Sequence, residues 1–284
     1  MCNVAYTMYI VGLDAKGAMW KPVTLGPDET VLDARDILLR YGISRVVIAK
    51  NHKPLGIVTE KDIARFLYEQ VPPRQLDEIR LDEVMSRSLV TVGEETDLRA
   101  CAKVMLAKGV SSLVVVDGKK NLKGIFTKTD LTTAYVEYYA MEHRVREFMT
   151  KKVITVAPDE PVHSAIMLMI VNKISRIVVT RNGRLVGMIT GRDLLPLGAM
   201  VERRQPWNVK KWQPFIPAGI KAAMLVSDVM TPNPVTTTAD SDLADAGYIM
   251  LRNRISGLPV VDSKQAVAGI VTKTDVVKAL ASHA

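Results

Sequence analysis

Thr59 and Asp62 form a pair that recurs three more times at the same separation: Thr127 and Asp130, Thr190 and Asp193, Thr272 and Asp275. Each pair closes one phrase: GIVTEKD (Gly56 to Asp62), GIFTKTD (Gly124 to Asp130), GMITGRD (Gly187 to Asp193) and GIVTKTD (Gly269 to Asp275). An ionised carboxylate only accepts hydrogen bonds, so its two oxygens suit paired donors such as the vicinal hydroxyls of a ribose. Aspartate is also a favoured helix N-cap, and each of the four stands where a cap is expected. The two uses are compatible if one oxygen faces outward. The threonines have a plainer reading as β-branched residues at strand ends. Upstream of each phrase stands an aliphatic residue followed by serine: Ile43-Ser44, Val110-Ser111, Ile174-Ser175 and Ile255-Ser256. Ser44 to Thr59 and Ser175 to Thr190 are 15 residues apart, whereas Ser111 to Thr127 and Ser256 to Thr272 are 16. The chain is therefore a pair of unlike repeats, duplicated as a pair.

Basic residues follow the same alternation. Arg45 and Arg176 directly follow the serine in repeats one and three, where Lys61 and Arg192 directly precede the aspartate. Repeats two and four carry Ser112 and Gly257, then Thr129 and Thr274, at those positions, and repeat four places Arg254 just before Ile255. Guanidinium forks match phosphate oxygens two at a time, and each charge-assisted hydrogen bond contributes about 1.5–3 kcal/mol. A solvated or ion-paired strand arginine is the alternative. The recurrence of the same arginine with the same basic partner in both halves favours phosphate.

These residues need elements to hold them. A short apolar run opens each copy (Pro22–Leu25, Leu89–Val92, Val153–Val156, Pro234–Thr237), and Asp28, Glu94, Asp159 or Asp240 then stands near a helix start. The helix stripe is clearest at Leu98, Cys101, Ala102, Met105 and Leu106, one apolar face at helical spacing. Gly42 and Gly109 occupy the left-handed position after a helix. Two strands follow, joined in repeat three by an Asn182-Gly183 turn signal, and the phrase leads into a second helix. The fold class is α/β (α+β), with the order β-α-β-β-α in each repeat.

That order, closed by Gly-x-x-Thr-x-x-Asp, resembles the CBS (cystathionine β-synthase) domain. The resemblance implies that the four repeats pair into two Bateman modules, each with two clefts between its repeats. The expected bounds are module 1 over 1–140, with repeats at about 17–70 and about 82–140, and module 2 over 141–284, with repeats at about 145–198 and about 226–284. It further implies that the aspartates hold ribose. Phosphate would fall to the threonines and to the residue before each aspartate (Lys61, Thr129, Arg192, Thr274). The aliphatic-serine pair would edge an adenine, with Ile57, Ile125, Met188 and Ile270 closing the other side. In having four such repeats the chain is similar to the γ subunits of AMP-activated protein kinase, where basic residues after the serine reach nucleotide phosphates. By that likeness Arg45 and Arg176 do the same.

Bulk properties narrow the classes. The 284 residues suit two domains of about 140. With 48% hydrophobic and 24% charged residues the composition is globular. Two cysteines, Cys2 and Cys101, form no disulfide framework and suit a reducing compartment. No basic leader with an apolar run and no stretch of roughly 20 apolar residues is found, so a cytoplasmic protein without a membrane partner is expected. The net charge of +8 points to polyanionic partners. Thr59 to Thr127 spans 68 residues and Thr190 to Thr272 spans 82, so repeats three and four are separated by an insert, at about 199–224, that contains Arg203, Arg204, Trp207, Lys210, Lys211 and Trp212. Basic residues among aromatics suit nucleic acid, but Pro206, Pro214 and Pro217 favour an irregular loop, and nucleic acid ranks below a nucleotide. His52, His143, His163 and His283 show no metal-ligand spacing, and no nucleophile motif is present, so an enzyme and a catalytic cofactor are not expected. The expected function is a regulatory sensor that binds AMP, ADP or ATP and signals to an unidentified protein partner. Module pairing within one chain or in a homodimer stays open. The alternatives are a nucleic-acid binder with nucleotide as effector, and a sensor for S-adenosylmethionine or a diadenosine polyphosphate.

Overall fold

The computed structural model describes residues 14–69, 74–194 and 224–283. The basic and aromatic insert lies, apart from Met224, outside the described residues. Repeat one comprises α1 (Ala15–Ala18), β1 (Thr24–Leu25), α2 (Val31–Tyr41), β2 (Arg45–Lys50), β3 (Lys53–Thr59) and α3 (Glu60–Glu69). Repeat two follows with α4 (Leu81–Val84), β4 (Thr91–Gly93), α5 (Leu98–Ala107), β5 (Ser112–Val116), β6 (Leu122–Thr127) and α6 (Lys128–Tyr138). Repeat three has α7 (Val145–Phe148), β7 (Thr155–Val156), α8 (Val162–Val171), β8 (Arg176–Arg181), β9 (Arg184–Thr190) and α9 (Gly191–Leu194). Repeat four has α10 (Val226–Val229), β10 (Thr231–Pro232), α11 (Leu243–Arg252), β11 (Gly257–Val261), β12 (Val267–Thr272) and α12 (Lys273–Ser282).

The expected β-α-β-β-α unit is present, with a short leader helix added before each copy. In the first three repeats a parallel strand pair is followed by an antiparallel hairpin. Repeat four differs: its opening run makes only one parallel bridge, Thr237 to Val260, and its β10 joins β9 of repeat three instead. Asn182 and Gly183 both have positive φ (53° and 74°), the geometry expected of the two-residue turn. The even repeats carry a longer turn in which Asp117 or Asp262 accepts backbone N–H groups from the turn itself, and their extra residue falls there.

The helix starts correct the sequence reading in one respect. Threonine, not aspartate, is the N-cap: Thr127 and Thr272 are extended, and their hydroxyls accept from the N–H two residues on. Asp130 and Asp275 sit at the third helical position and reach back, completing a capping box. Threonine is the last strand residue, so its backbone is already in the extended region that an N-cap requires. For the first helices the caps likewise lie beyond Asp28, Glu94 and Asp240, at Thr30, Asp97 and Asp242.

Each leader helix docks on the other member of its pair. Ala15 and Lys16 donate to the carbonyls of Thr96 and Glu94, in repeat two, whereas Leu81 of the second leader donates to Glu29 of repeat one. Val145 and Arg146 bond Ser241 and Ala239 of repeat four, and Val226 bonds Glu160 of repeat three. A methionine ends each leader and lies on the glycine that opens the opposite phrase. A Cβ on Gly56 would stand 2.5 Å from Met85 Sδ, on Gly124 2.6 Å from Met19 Sδ and on Gly269 2.9 Å from Met149 Sδ; Gly187 is closer still to Met230. The glycine of the phrase is therefore a packing requirement, imposed by the partner repeat.

Three cores result. Repeats two and four share one continuous core, running from Leu98, Met105, Leu131 and Tyr135 to Leu243, Met250, Val277 and Leu280. Repeats one and three each keep a core of their own, around Val31, Leu38 and Ile63 and around Val162, Ala165 and Ile189. Gly247 lets α11 approach α6 closely, since a Cβ there would meet Val136 Cγ2 at 2.9 Å. No helix among the described residues is long and apolar enough to cross a membrane.

Candidate functional site

The four phrases are held in register by one repeated bond. The carbonyl of each serine accepts the first N–H of the second helix: Ser44 from Glu60, Ser111 from Lys128, Ser175 from Gly191 and Ser256 from Lys273, each at 3.2 Å. Every serine thus stands beside its own Thr-x-x-Asp, whatever the turn length between them. Ile43, Ile174, Val110 and Ile255 rest against the cores while remaining half-buried. Ile57, Ile125, Met188 and Ile270 are bridged to the leaders at Ser86, Trp20, Thr231 and Thr150.

Within each phrase the threonine is spent internally. Oγ1 and N of Thr59, Thr127, Thr190 and Thr272 donate to Oδ2 of Asp62, Asp130, Asp193 and Asp275 at 2.6–2.9 Å. These hydroxyl protons are not available to a phosphate, and it is through Oδ1 that an aspartate reaches beyond its phrase. In repeat four that oxygen takes Lys278 Nζ at 2.8 Å. In repeat two it takes the Trp20 indole N–H, also at 2.8 Å.

The cations converge. Arg45 crosses from repeat one to donate to Ser111 Oγ of repeat two at 3.0 Å, and also to Ser44 Oγ at 3.2 Å. Arg176 makes the matching crossing, lying over Gly257 of repeat four, where a Cβ would stand 3.1 Å from its Cδ and nearer still to Nη1. Its Nη2 reaches Ser175 Oγ at 3.4 Å, but its Nη1 is buried without any hydrogen-bond partner. Lys128 donates to Thr274 Oγ1 at 2.9 Å, and Lys273 reciprocates onto Thr129 Oγ1 at 3.0 Å, so the even repeats are cross-linked. On the odd side Arg192 bonds Glu60 at 2.9 Å and the Gly42 carbonyl at 3.3 Å, and Lys61 reaches the Lys173 carbonyl at 3.4 Å.

Burial and mutual repulsion act on this cluster together. Burial, then the Arg45 charge, brings Lys128 down to about 8. Lys273 also falls to about 8 through burial, partly offset by Asp130 and reinforced by Arg176 and Arg45. Burial lowers Arg176 to about 10 despite Asp275 and Glu60, and it lowers Arg45 as well. Lys61 is lowered by burial and then by Arg176. Six cations from all four repeats therefore face one another. Four carboxylates, Glu60, Asp62, Asp130 and Asp275, oppose this charge, and Asp275 is shared with a further cation, Lys278. Such a cluster favours a bound anion, because each charge is partly desolvated and undercompensated.

Arg254 does not join it. It is exposed, at φ 54°, in the left-handed position after α11 that Gly42 and Gly109 fill elsewhere. The sequence reading, conversely, left Lys128 and Lys273 out of the site. The available signal was their identical place after the threonine in both even repeats. No group of three or more His, Cys, Asp or Glu among the described residues could hold a metal ion.

The CBS domain model matches residues 15–69, 81–137, 145–198 and 226–282. The chain belongs to the CBS domain family. It is 27% identical over 274 residues to the uncharacterized protein MJ1225 of Methanocaldococcus jannaschii, covering 91% of this chain and 95% of that one. The crystal structure of MJ1225, described there as a proposed archaeal homologue of g-AMPK, superposes with a TM-score of 0.80 at 24% identity, over 92% of this chain and 98% of that one. An uncharacterized conserved protein from Pyrococcus horikoshii shares the fold with a TM-score of 0.64 at 21% identity, over 94% of this chain and 99% of that one. The chloroplastic CBS domain-containing protein CBSX1 of Arabidopsis thaliana is 33% identical over 150 residues, 48% of this chain and 64% of its own length.

Proposed function

We propose that this chain is a regulatory sensor of adenine nucleotides, holding AMP, ADP or ATP between repeats with the phosphates directed at the central cation cluster. The observation that carries the reading is Arg176 Nη1, a buried guanidinium N–H with no acceptor, set among five other cations from four repeats. An unsatisfied buried donor costs about 1–3 kcal/mol, and more when charged, so an anionic oxygen there is worth most. A phosphate tail fits this cluster better than the zwitterionic tail of S-adenosylmethionine. The likeness to MJ1225, proposed as an archaeal homologue of g-AMPK, agrees with a nucleotide-responsive role. Because all four repeats contribute cations, occupancy would bias how the repeats sit together, and any signal to a partner protein would depend on unequal affinity for two such arrangements.

Mass spectrometry of ligand released from gently purified protein, followed by calorimetry with adenine and guanine nucleotides, tests the reading. Adenine nucleotides should be released or bound in preference to guanine. Protein that carries none and gives no heat with any of them would refute it.

A further inference from the structure

Trp20 differs in kind from the residues at the same place in the other leaders. It stands in the leader of repeat one, bridged to Ile125 of repeat two by two backbone bonds, Trp20 N to Ile125 O at 3.0 Å and Ile125 N to Trp20 O at 2.9 Å. The corresponding bridge positions on Ile57, Ile270 and Met188 are Ser86, Thr150 and Thr231. Those three side chains are short hydroxyls. Trp20 alone carries a long ring with one N–H, and that N–H donates to Asp130 Oδ1 at 2.8 Å.

The consequence follows from lone pairs. Asp130 is 3% exposed, and its Oδ2 already accepts from Thr127 N and Oγ1. Oδ1 is the oxygen that a ribose diol would need, and the indole supplies the donor there instead. The ring is 46% exposed, lying over Asp130 at the surface, and its residue is held in place through the backbone bridge to Ile125 and through its neighbours, with Ala15 and Ala18 buried and Met19 on Gly124. Displacing the ring would leave Asp130 Oδ1 without this donor until a ligand arrived, and would disturb a leader anchored in the core shared by repeats two and four.

We propose that Trp20 is a specificity-determining residue that closes the Asp130 cleft to nucleotide, its indole N–H taking the place of a ribose hydroxyl. This rests on the nucleotide reading above and deepens it: the four phrases, alike in sequence, do not make four equivalent sites. Shortening Trp20 to the serine found at the corresponding position in the next leader should open the cleft.

Calorimetric titration of wild type and Trp20→Ser with AMP gives the test. The variant should bind one more AMP per chain than wild type, and the added site should reject 2′,3′-dideoxy-AMP. In wild type, the Trp20 indole N–H resonance, assigned from its loss in Trp20→Phe, should stay in place at saturating AMP, a result that does not depend on the serine variant folding. Equal AMP stoichiometry in the two chains, or a Trp20 resonance that shifts on AMP binding to wild type, overturns the inference while leaving the nucleotide reading intact. If neither chain binds AMP, ADP or ATP, both fall.

Discussion

Arg176 and Gly257 are best understood together. Repeat four has glycine where repeat one has Arg45 and repeat three has Arg176, and the guanidinium of Arg176 lies in the space that a Cβ would fill. Gly257→Ala should therefore push the arginine aside without breaking the strand, weakening ATP by roughly ten-fold or more while sparing adenosine, as expected for one lost charge-assisted bond. Titration of the two ligands checks this, and an unchanged ATP affinity would show that the guanidinium position is immaterial. The lysines give a pH signature. Lys128 and Lys273 titrate near 8 in the folded chain, against about 10.5 for a free lysine, so the unfolded chain holds more protons between those values. Their contribution therefore makes the ligand-free fold more stable as pH rises from 8 toward 10, and less stable below 8. Anion binding favours the charged lysines, so nucleotide affinity should fall as pH rises through 8. Melting curves with and without ATP at pH 7 and 9, in wild type and Lys273→Met, check both signs, and the variant should flatten each dependence.

At the scale of elements, much was legible and one arrangement was not. The helix stripe at Leu98, Cys101, Ala102 and Met105 is buried as its spacing requires, and the Asn182-Gly183 turn has the backbone its residues favour. Both are local patterns. The leaders that dock on the opposite repeat are not local. They depend on Met19, Met85, Met149 and Met230 meeting glycines 29 to 120 residues away in the chain, and nothing near either residue announces it. The reciprocal Lys128–Thr274 and Lys273–Thr129 bonds were hidden for the same reason, because they require knowing that repeat two faces repeat four. Arg254 looked like a phosphate ligand because it neighbours Ile255-Ser256, but it serves as a helix terminator in a left-handed conformation that disfavours side chains by about 1–2 kcal/mol. Arg254→Gly should stabilise the protein by roughly 1 kcal/mol, after glycine's own entropic cost, and raise the melting temperature by about 2–4 °C. It should leave nucleotide affinity unchanged; a loss of affinity would return Arg254 to the site.

Across the whole molecule, charge and core are distributed differently. The continuous core ties repeat two to repeat four, whereas among the described residues repeats one and three are joined by polar bonds, Arg192 with Glu60 and the Gly42 carbonyl and Lys61 with the Lys173 carbonyl. The cation cluster spans all four repeats, so an anion bound there offsets repulsion that no single repeat could relieve. The central claim is that this cluster receives phosphate, and its most direct test is the affinity series adenosine, AMP, ADP and ATP, measured by calorimetry in wild type and Arg176→Gln. Wild type should bind more tightly with each added phosphate that reaches the cluster, and the variant should lose roughly ten-fold or more for ATP while binding adenosine as before. Equal losses for all four ligands, or a wild-type series that does not depend on phosphate, would contradict the account.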